Sequence, residues 1–199
     1  LPALDPLSAE LWEAYTRLCG VDVQSGYVYA ARLVYQRSRA EVTSLTTDAF
    51  ELDPAVSERP LMREFISTIQ ARAGEVWVVS SSQAEIVRAV ARRYAIPMER
   101  VIGINFELDH EERYTDQLYE PTPINEQKVD ALRDQLSGES GDREALGALE
   151  LMAGDSRYDL PMMRWAQIGL LIDHGRSSEL TREVDSIGGV IVRAELLDR

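Results

Sequence analysis

Two short polar clusters stand where an apolar run gives way to a helix. Val76-Trp77-Val78-Val79 leads into Ser80-Ser81-Ser82, and Leu149–Ala153 leads into Gly154-Asp155-Ser156-Arg157-Tyr158-Asp159. Hydroxyls beside the unpaired N–H groups of a first helical turn suit a phosphate or a carboxylate. The plainer alternative makes Ser82 an N-cap and the other two serines turn residues. Two carboxylates four residues apart, after a buried strand, can face one point. Magnesium takes hard oxygen ligands of that kind, with water and phosphate completing its shell. Gly154 allows a close approach to the backbone there. The alternative makes Asp155 a helix cap and Asp159 a solvated acid favoured by the helix dipole. Lys128 falls near the start of a helix predicted over 125–136. A cation at that end opposes the macrodipole, which is explained if it faces an anion; an exposed surface lysine is the alternative.

Other reactive types give less. His110 and His174 lie in Leu-Asp-His-Glu-Glu and Ile-Asp-His-Gly, polar surroundings that read as solvent-exposed loops with no serine–histidine–acid arrangement. Cys19 falls on an apolar helix face and reads as core. Tyr15, Tyr27, Tyr29 and Tyr35 could line a pocket, although aromatics at helical spacing more often pack.

These candidates need elements to hold them. The first 55 residues read as helices: one opened by Asp5-Pro6 and Ser8 and stopped at Gly20, one over Tyr27–Tyr35, and one opened by the capping box Ser38-Arg-Ala-Glu41, with a break at Asp53-Pro54. From about residue 56 short apolar strands alternate with helices. A helix over Pro60–Ala73 precedes strand Val76–Val79, and a helix opened by a Ser82–Glu85 capping box precedes strand Val101–Phe106. The acidic and aromatic stretch Glu107–Glu120 reads as a hairpin. After helix 125–136 and a polar loop over Ser137–Asp142 come strand Leu149–Ala153, a helix from Asp159, strand Ile168–Ile172, a weak helix near Leu180–Val184 and strand Gly189–Val192. This alternation predicts an α/β fold with a mainly parallel sheet in residues 56–199, preceded by an all-helical subdomain in 1–55.

Composition narrows the partners. The 199 residues are 45% apolar and 28% charged, a globular composition, with a net charge of −13 that repels phosphate backbones and anionic lipid. Nucleic acid and membrane surfaces are therefore excluded as partners. No apolar run approaches the roughly 20 residues of a membrane-spanning helix. One cysteine excludes an internal disulfide and a zinc site built on two cysteines. Leu1 is not an initiator methionine, and the opening Leu-Pro-Ala-Leu-Asp-Pro lacks signal-peptide features. The chain is expected to begin partway into a protein, of the cytoplasm or the periplasm.

A serine after a strand, then a lysine, then Gly-Asp-x-x-x-Asp after a later strand resembles the haloacid dehalogenase superfamily of phosphohydrolases. On that resemblance Ser80 matches the second motif, Lys128 the third, and Asp155 with Asp159 the fourth. It implies a Rossmann-like core with a helical cap, Mg2+ as cofactor and a small phosphorylated metabolite as substrate. Ser80 and Ser81 would bind phosphate, Lys128 would neutralise the nucleophile and phosphoryl oxygens, and Asp155 and Asp159 would form the metal site. Tyr15–Asp22, Val76–Ser80, Arg100–Gly103 and Gly189–Val192 are similar to segments of the bacterial phosphorylcholine phosphatases, which implies a phosphorylated amino alcohol. The first motif, a strand followed by Asp-x-Asp, does not occur in the chain. Its absence would leave central strand groups unpaired, at about 1–3 kcal/mol each. The expectation is that the nucleophilic Asp lies upstream and that this chain alone is inactive. Two other readings stay open: a catalytically inactive binding or interaction module, and a phosphotransferase or mutase.

Overall fold

The computed structural model describes residues 6–52, 59–140 and 149–198. Three helices come first: α1 (Pro6–Val21), α2 (Val23–Ala31) and α3 (Arg39–Leu52). Helix α2 starts four residues before the predicted Tyr27, because Asp22 caps it by accepting from the backbone N–H groups of Gln24 and Ser25. The predicted capping box opens α3: Ser38 N–H donates to Glu41 Oε2 at 2.7 Å, and Glu41 N–H donates to Ser38 Oγ at 3.2 Å. The Asp53-Pro54 break lies outside the described residues.

The α/β part follows as α4 (Pro60–Ala71), β1 (Val78–Gln83), α5 (Ala84–Arg93), β2 (Val101–Ile104), β3 (Phe106–Leu108), β4 (Tyr114–Leu118), α6 (Gln127–Ser140), β5 (Leu151–Gly154), α7 (Leu160–Trp165), β6 (Ile168–Asp173), α8 (Ser178–Ser186) and β7 (Val190–Arg193). Strands β1 and β2 pair in parallel, as do β5, β6 and β7 in that order. The only antiparallel strand pair among the described residues is the predicted hairpin, β3 with β4, and an isolated antiparallel bridge joins Ser38 to Arg113.

Four local expectations shift. Strand β1 begins two residues late and takes in all three serines, since its pairing with β2 runs through an irregularity between Val79 and Gln83. Helix α5 is capped by Gln83 rather than Ser82: the amide oxygen of Gln83 accepts from the N–H groups of Glu85 and Ile86. The predicted strand over 101–106 breaks at Asn105, where β2 ends and the hairpin begins. Residues 137–140, predicted as loop, continue α6.

Three buried clusters hold these elements. Ile66, Val87, Ala91, Ile96 and Val101 join α4 and α5 to the β1–β2 pair. Leu160, Met163, Leu171, Leu180 and Val184 seat α7 and α8 on the β5–β7 sheet. In the third, Ala31 of α2 and Val42 of α3 pack with Phe106 and Tyr114 of the hairpin. The N-terminal helices thus rest on a hairpin supplied by the later part of the chain. A buried ion cluster reinforces that junction: Glu85 accepts from Arg39 and Arg88 and from the Tyr114 hydroxyl. Burial works against the charge of Glu85, yet Arg88 and Arg39 hold it below the ordinary carboxylate range. The same burial, with Glu85 beside it, pushes the Tyr114 phenol up to about 12.

Candidate active site

In open α/β sheets ligands bind beyond the C-terminal strand ends. The ends of β1, β5 and β6 here surround one cavity of about 480 Å³, lined by Ser80, Ser81, Ser82, Lys128, Asp155 and Asp159 among others. All five predicted site residues, Ser80, Ser81, Lys128, Asp155 and Asp159, are therefore brought together.

Asp159 organises the site. Its Oδ1 accepts from Lys128 Nζ at 2.5 Å, and its Oδ2 accepts from the backbone N–H of Asp155, the backbone N–H of Ser156 and the Ser156 hydroxyl. One carboxylate thus holds a lysine on one oxygen and the β5–α7 turn on the other. This requires Gly154, because a Cβ there would stand 2.5 Å from Asp159 Cβ and 2.8 Å from Oδ2. The close approach expected of that glycine is to a side chain of its own chain.

Lys128 is 5% exposed, so the surface alternative does not hold. The chain turns into α6 through Asn125 at φ 54°, a conformation asparagine tolerates better than most residues. Lys128 is the second residue of α6, and the Asp159 carboxylate offsets its charge at the positive end of that helix. The Ser81 hydroxyl donates to Pro123 O at 2.9 Å, which ties β1 to the segment leading into α6. The Ser81 hydroxyl proton is thus engaged by that carbonyl, while Ser81 itself still lines the cavity. Ser80 Oγ accepts from the Ser82 N–H at 3.2 Å, which leaves its own O–H proton available.

Asp155 differs from Asp159. Its side chain is 56% exposed, and Oδ2 lies 3.4 Å from His174 Nε2. Of the two predicted metal carboxylates, Asp155 has an open face, while both oxygens of Asp159 are engaged within the protein. Among the described residues no group of three or more His, Cys, Asp or Glu side chains converges. Asp155 and Asp159 are two hard oxygen donors close together in the chain. That pair fits magnesium, which commonly takes one or two protein carboxylates and completes its shell with water and phosphate.

Two nitrogen-bearing side chains at the cavity were missed. His174, read as a solvent-exposed loop residue, lines the cavity directly after β6, and Arg59 lines it from the start of α4. The rule that singled out the serines, the position just past a strand's C-terminal end, applies equally to His174. Arg59 has no such signal in the sequence; its guanidinium reaches Ala194 O near the last strand.

A second cavity, of about 430 Å³, adjoins the first through Tyr27, Ser81 and Ser82 and runs under α1 and α2. Tyr15 and Tyr27 face it as neutral phenols. Burial raises both pKa values, the Cys19 thiol raises Tyr15 further, and Tyr158 raises Tyr27.

The sequence pattern of the haloacid dehalogenase-like hydrolase family matches residues 1–164. No curated protein gives a significant match. Among solved structures, a protein of unknown function from Bordetella pertussis Tohama I superposes with a TM-score of 0.79 at 16% identity, covering 96% of this chain and 85% of that one. A phosphoserine phosphohydrolase-like protein from Francisella tularensis subsp. tularensis SCHU S4 gives 0.58 at 14% identity, covering 96% and 88%. A probable phosphoserine phosphatase from Vibrio cholerae gives 0.57 at 13%, covering 93% of this chain and 52% of that one. These likenesses show the fold, a Rossmann-like core with helices packed over its strand ends. No helix among the described residues is long and apolar enough to cross a membrane.

Proposed function

Because the chain belongs to the haloacid dehalogenase-like hydrolase family, we propose that it forms most of a magnesium-dependent phosphomonoester hydrolase acting on a small phosphorylated metabolite. The observation that carries this reading is the joint placement of Ser80, Lys128 and Asp155 around one cavity. Together they offer a hydroxyl donor, a buried cation and an open carboxylate, the three parts a phosphoryl group requires.

Ser80 donates its O–H to a phosphoryl oxygen. Lys128, held by Asp159, neutralises the equatorial oxygens without having to reorganise. Asp155 would supply a protein ligand to Mg2+, and Asp159 would orient the site or hold a metal-bound water. Mg2+ at this position supplies further charge neutralisation on the phosphoryl oxygens. The nucleophile in this proposal is an aspartate upstream of Leu1, which attacks phosphorus as the P–O bond to the alcohol breaks, and water then cleaves the aspartyl-phosphate to free the aspartate and inorganic phosphate. Two features support a strand carrying it: among the described residues β1 pairs only with β2 and β5 only with β6, and residues of β1 and β5 line the same cavity. The phosphorylated amino alcohol implied by the resemblance is a narrower form of this substrate, and it rests on the resemblance alone.

The test is phosphate release from phenyl phosphate, with and without Mg2+. Three proteins are compared: the 199-residue chain, the chain extended by its upstream coding sequence, and the extended protein carrying Asp155→Asn. Expected is Mg2+-dependent turnover in the extended protein, none in the 199-residue chain, and a loss of about 10²–10³ in rate with Asp155→Asn. Equal rates with and without the substitution would remove Asp155 from the metal role. No turnover in any of the three would favour the binding module.

A further inference from the structure

The second cavity has a chemistry of its own. None of the described residues that line it carries a formal charge. A zwitterionic leaving group such as serine needs a cation for its carboxylate and an anion for its ammonium, and this lining offers neither. One wall is aromatic. Trp12 and Tyr15 have ring centroids 5.4 Å apart, Tyr15 and Tyr27 6.2 Å, and Tyr27 and Tyr158 6.2 Å, the last pair bordering the phosphate cavity. The remaining lining mixes the aliphatic Leu11, Leu33 and Ile86 with Tyr29 and with uncharged polar residues such as Ser82 and Gln83. Tyr15 and Tyr27 meet at 69° and Tyr27 and Tyr158 at 83°, so the rings join edge to face, a series that a further aromatic ring can extend. Trp12, at the outer end, is 61% exposed and has ring surface to give.

We infer that this cleft is a leaving-group subsite for an uncharged aromatic alcohol, so that the substrate class is an aryl or arylalkyl phosphate. The inference rests on the phosphohydrolase reading for the phosphate end and on the ring geometry for the alcohol end. In the reaction the P–O bond to the aromatic alcohol's oxygen breaks and water supplies the oxygen of the new P–O bond. The alcohol leaves with one proton of that water, and the products are the aromatic alcohol and inorganic phosphate.

Binding to the 199-residue chain separates the two ends. Calorimetric titrations in Mg2+ compare phenyl phosphate, phosphocholine, O-phosphoserine and inorganic phosphate, and fluorine NMR follows 4-fluorobenzyl alcohol, for the wild-type chain, Trp12→Ala and Leu33→Asp. Leu33 is half-exposed and Trp12 more so, so neither change removes core. Expected is phenyl phosphate binding about tenfold more tightly than phosphocholine or O-phosphoserine, with that preference and the fluorobenzyl alcohol signal lost in both variants. Phosphocholine binding more tightly than phenyl phosphate would overturn the inference. So would phosphate binding with no fluorobenzyl alcohol binding, or aromatic binding that both variants leave unchanged. Fluorobenzyl alcohol bound in a Trp12-dependent manner without any phosphate binding would uphold the subsite and sink the phosphohydrolase reading instead. Binding of none of the probes would sink both.

Discussion

Lys128 Nζ lies 2.5 Å from Asp159 Oδ1, and both side chains are almost fully buried. Residues 31 positions apart are thereby locked across the cavity, one on the first turn of α6 and the other at the start of α7. Removing one partner of such a pair strands the other charge, at about 3–5 kcal/mol. Asp159→Asn and Lys128→Met should each destabilise the fold by about that much. The double variant should be less unstable than the two losses added, because no uncompensated charge remains. Urea denaturation of the four proteins checks this; strict additivity would show that the pair is not coupled.

Gly154 is set by the same carboxylate. A Cβ at that position falls 2.5 Å from Asp159 Cβ, and Asp159 cannot yield without releasing Lys128 or the turn. Gly154→Ala should cost about 1–3 kcal/mol by overpacking and weaken inorganic-phosphate binding as Lys128 shifts. Gly138 is a control within α6, where a Cβ meets nothing within 4 Å. Gly138→Ala should be neutral or stabilising by up to about 1 kcal/mol. Thermal melts should therefore show Gly154→Ala lowered and Gly138→Ala unchanged or raised.

Much of this arrangement was legible in the residues. The strand-end rule and the order of serine, lysine and paired aspartates brought five residues to one cavity without coordinates. What remained hidden was the division of labour among like groups. Asp155 and Asp159 look equivalent in sequence, yet backbone N–H groups and Lys128 occupy one and leave the other open. Ser80 and Ser81 look equivalent, yet a carbonyl from residue 123 takes the proton of one. Ser82 with Glu85 matched a capping box, but Glu85 is drawn into a buried cluster with Arg39 and Arg88, so Gln83 takes the cap. Tertiary partners decided each case, and local spacing carries no record of them.

Mg2+ should stabilise the protein if Asp155 binds it. A ligand that binds only the native state adds RT ln(1 + [L]/Kd), which is about 2.7 kcal/mol at a hundredfold excess over Kd. Adding millimolar Mg2+ together with phosphate should raise the melting temperature, and a chelator should reverse the rise. Asp155 is exposed and supports no core, so Asp155→Asn should melt like the wild type without metal and lose the Mg2+ response. A response that survives in this variant would place the ion elsewhere.

Glu85 ties the N-terminal helices to the α/β part and carries a pH signature. Arg88 lies 2.6 Å and Arg39 3.1 Å from its Oε1, and the Tyr114 hydroxyl donates to the same oxygen at 3.2 Å. Against the cost of burial, the two arginines hold its folded-state pKa below the unfolded value. A depressed carboxylate contributes stability that is fully present above the unfolded pKa. That contribution is lost as pH falls through the ordinary glutamate range toward the lower folded value. Wild-type stability should therefore decline on acidification below that range. Glu85→Gln should be weaker at neutral pH by about 3 kcal/mol, since Arg88 then keeps a partly buried charge without its counter-ion. Its stability should also change less over the acidic window, because the titrating group is gone. Denaturation midpoints from neutral pH down through the glutamate range, measured for both proteins, read the difference. Parallel curves would mean that Glu85 is not the group whose protonation loosens the helices from the hairpin.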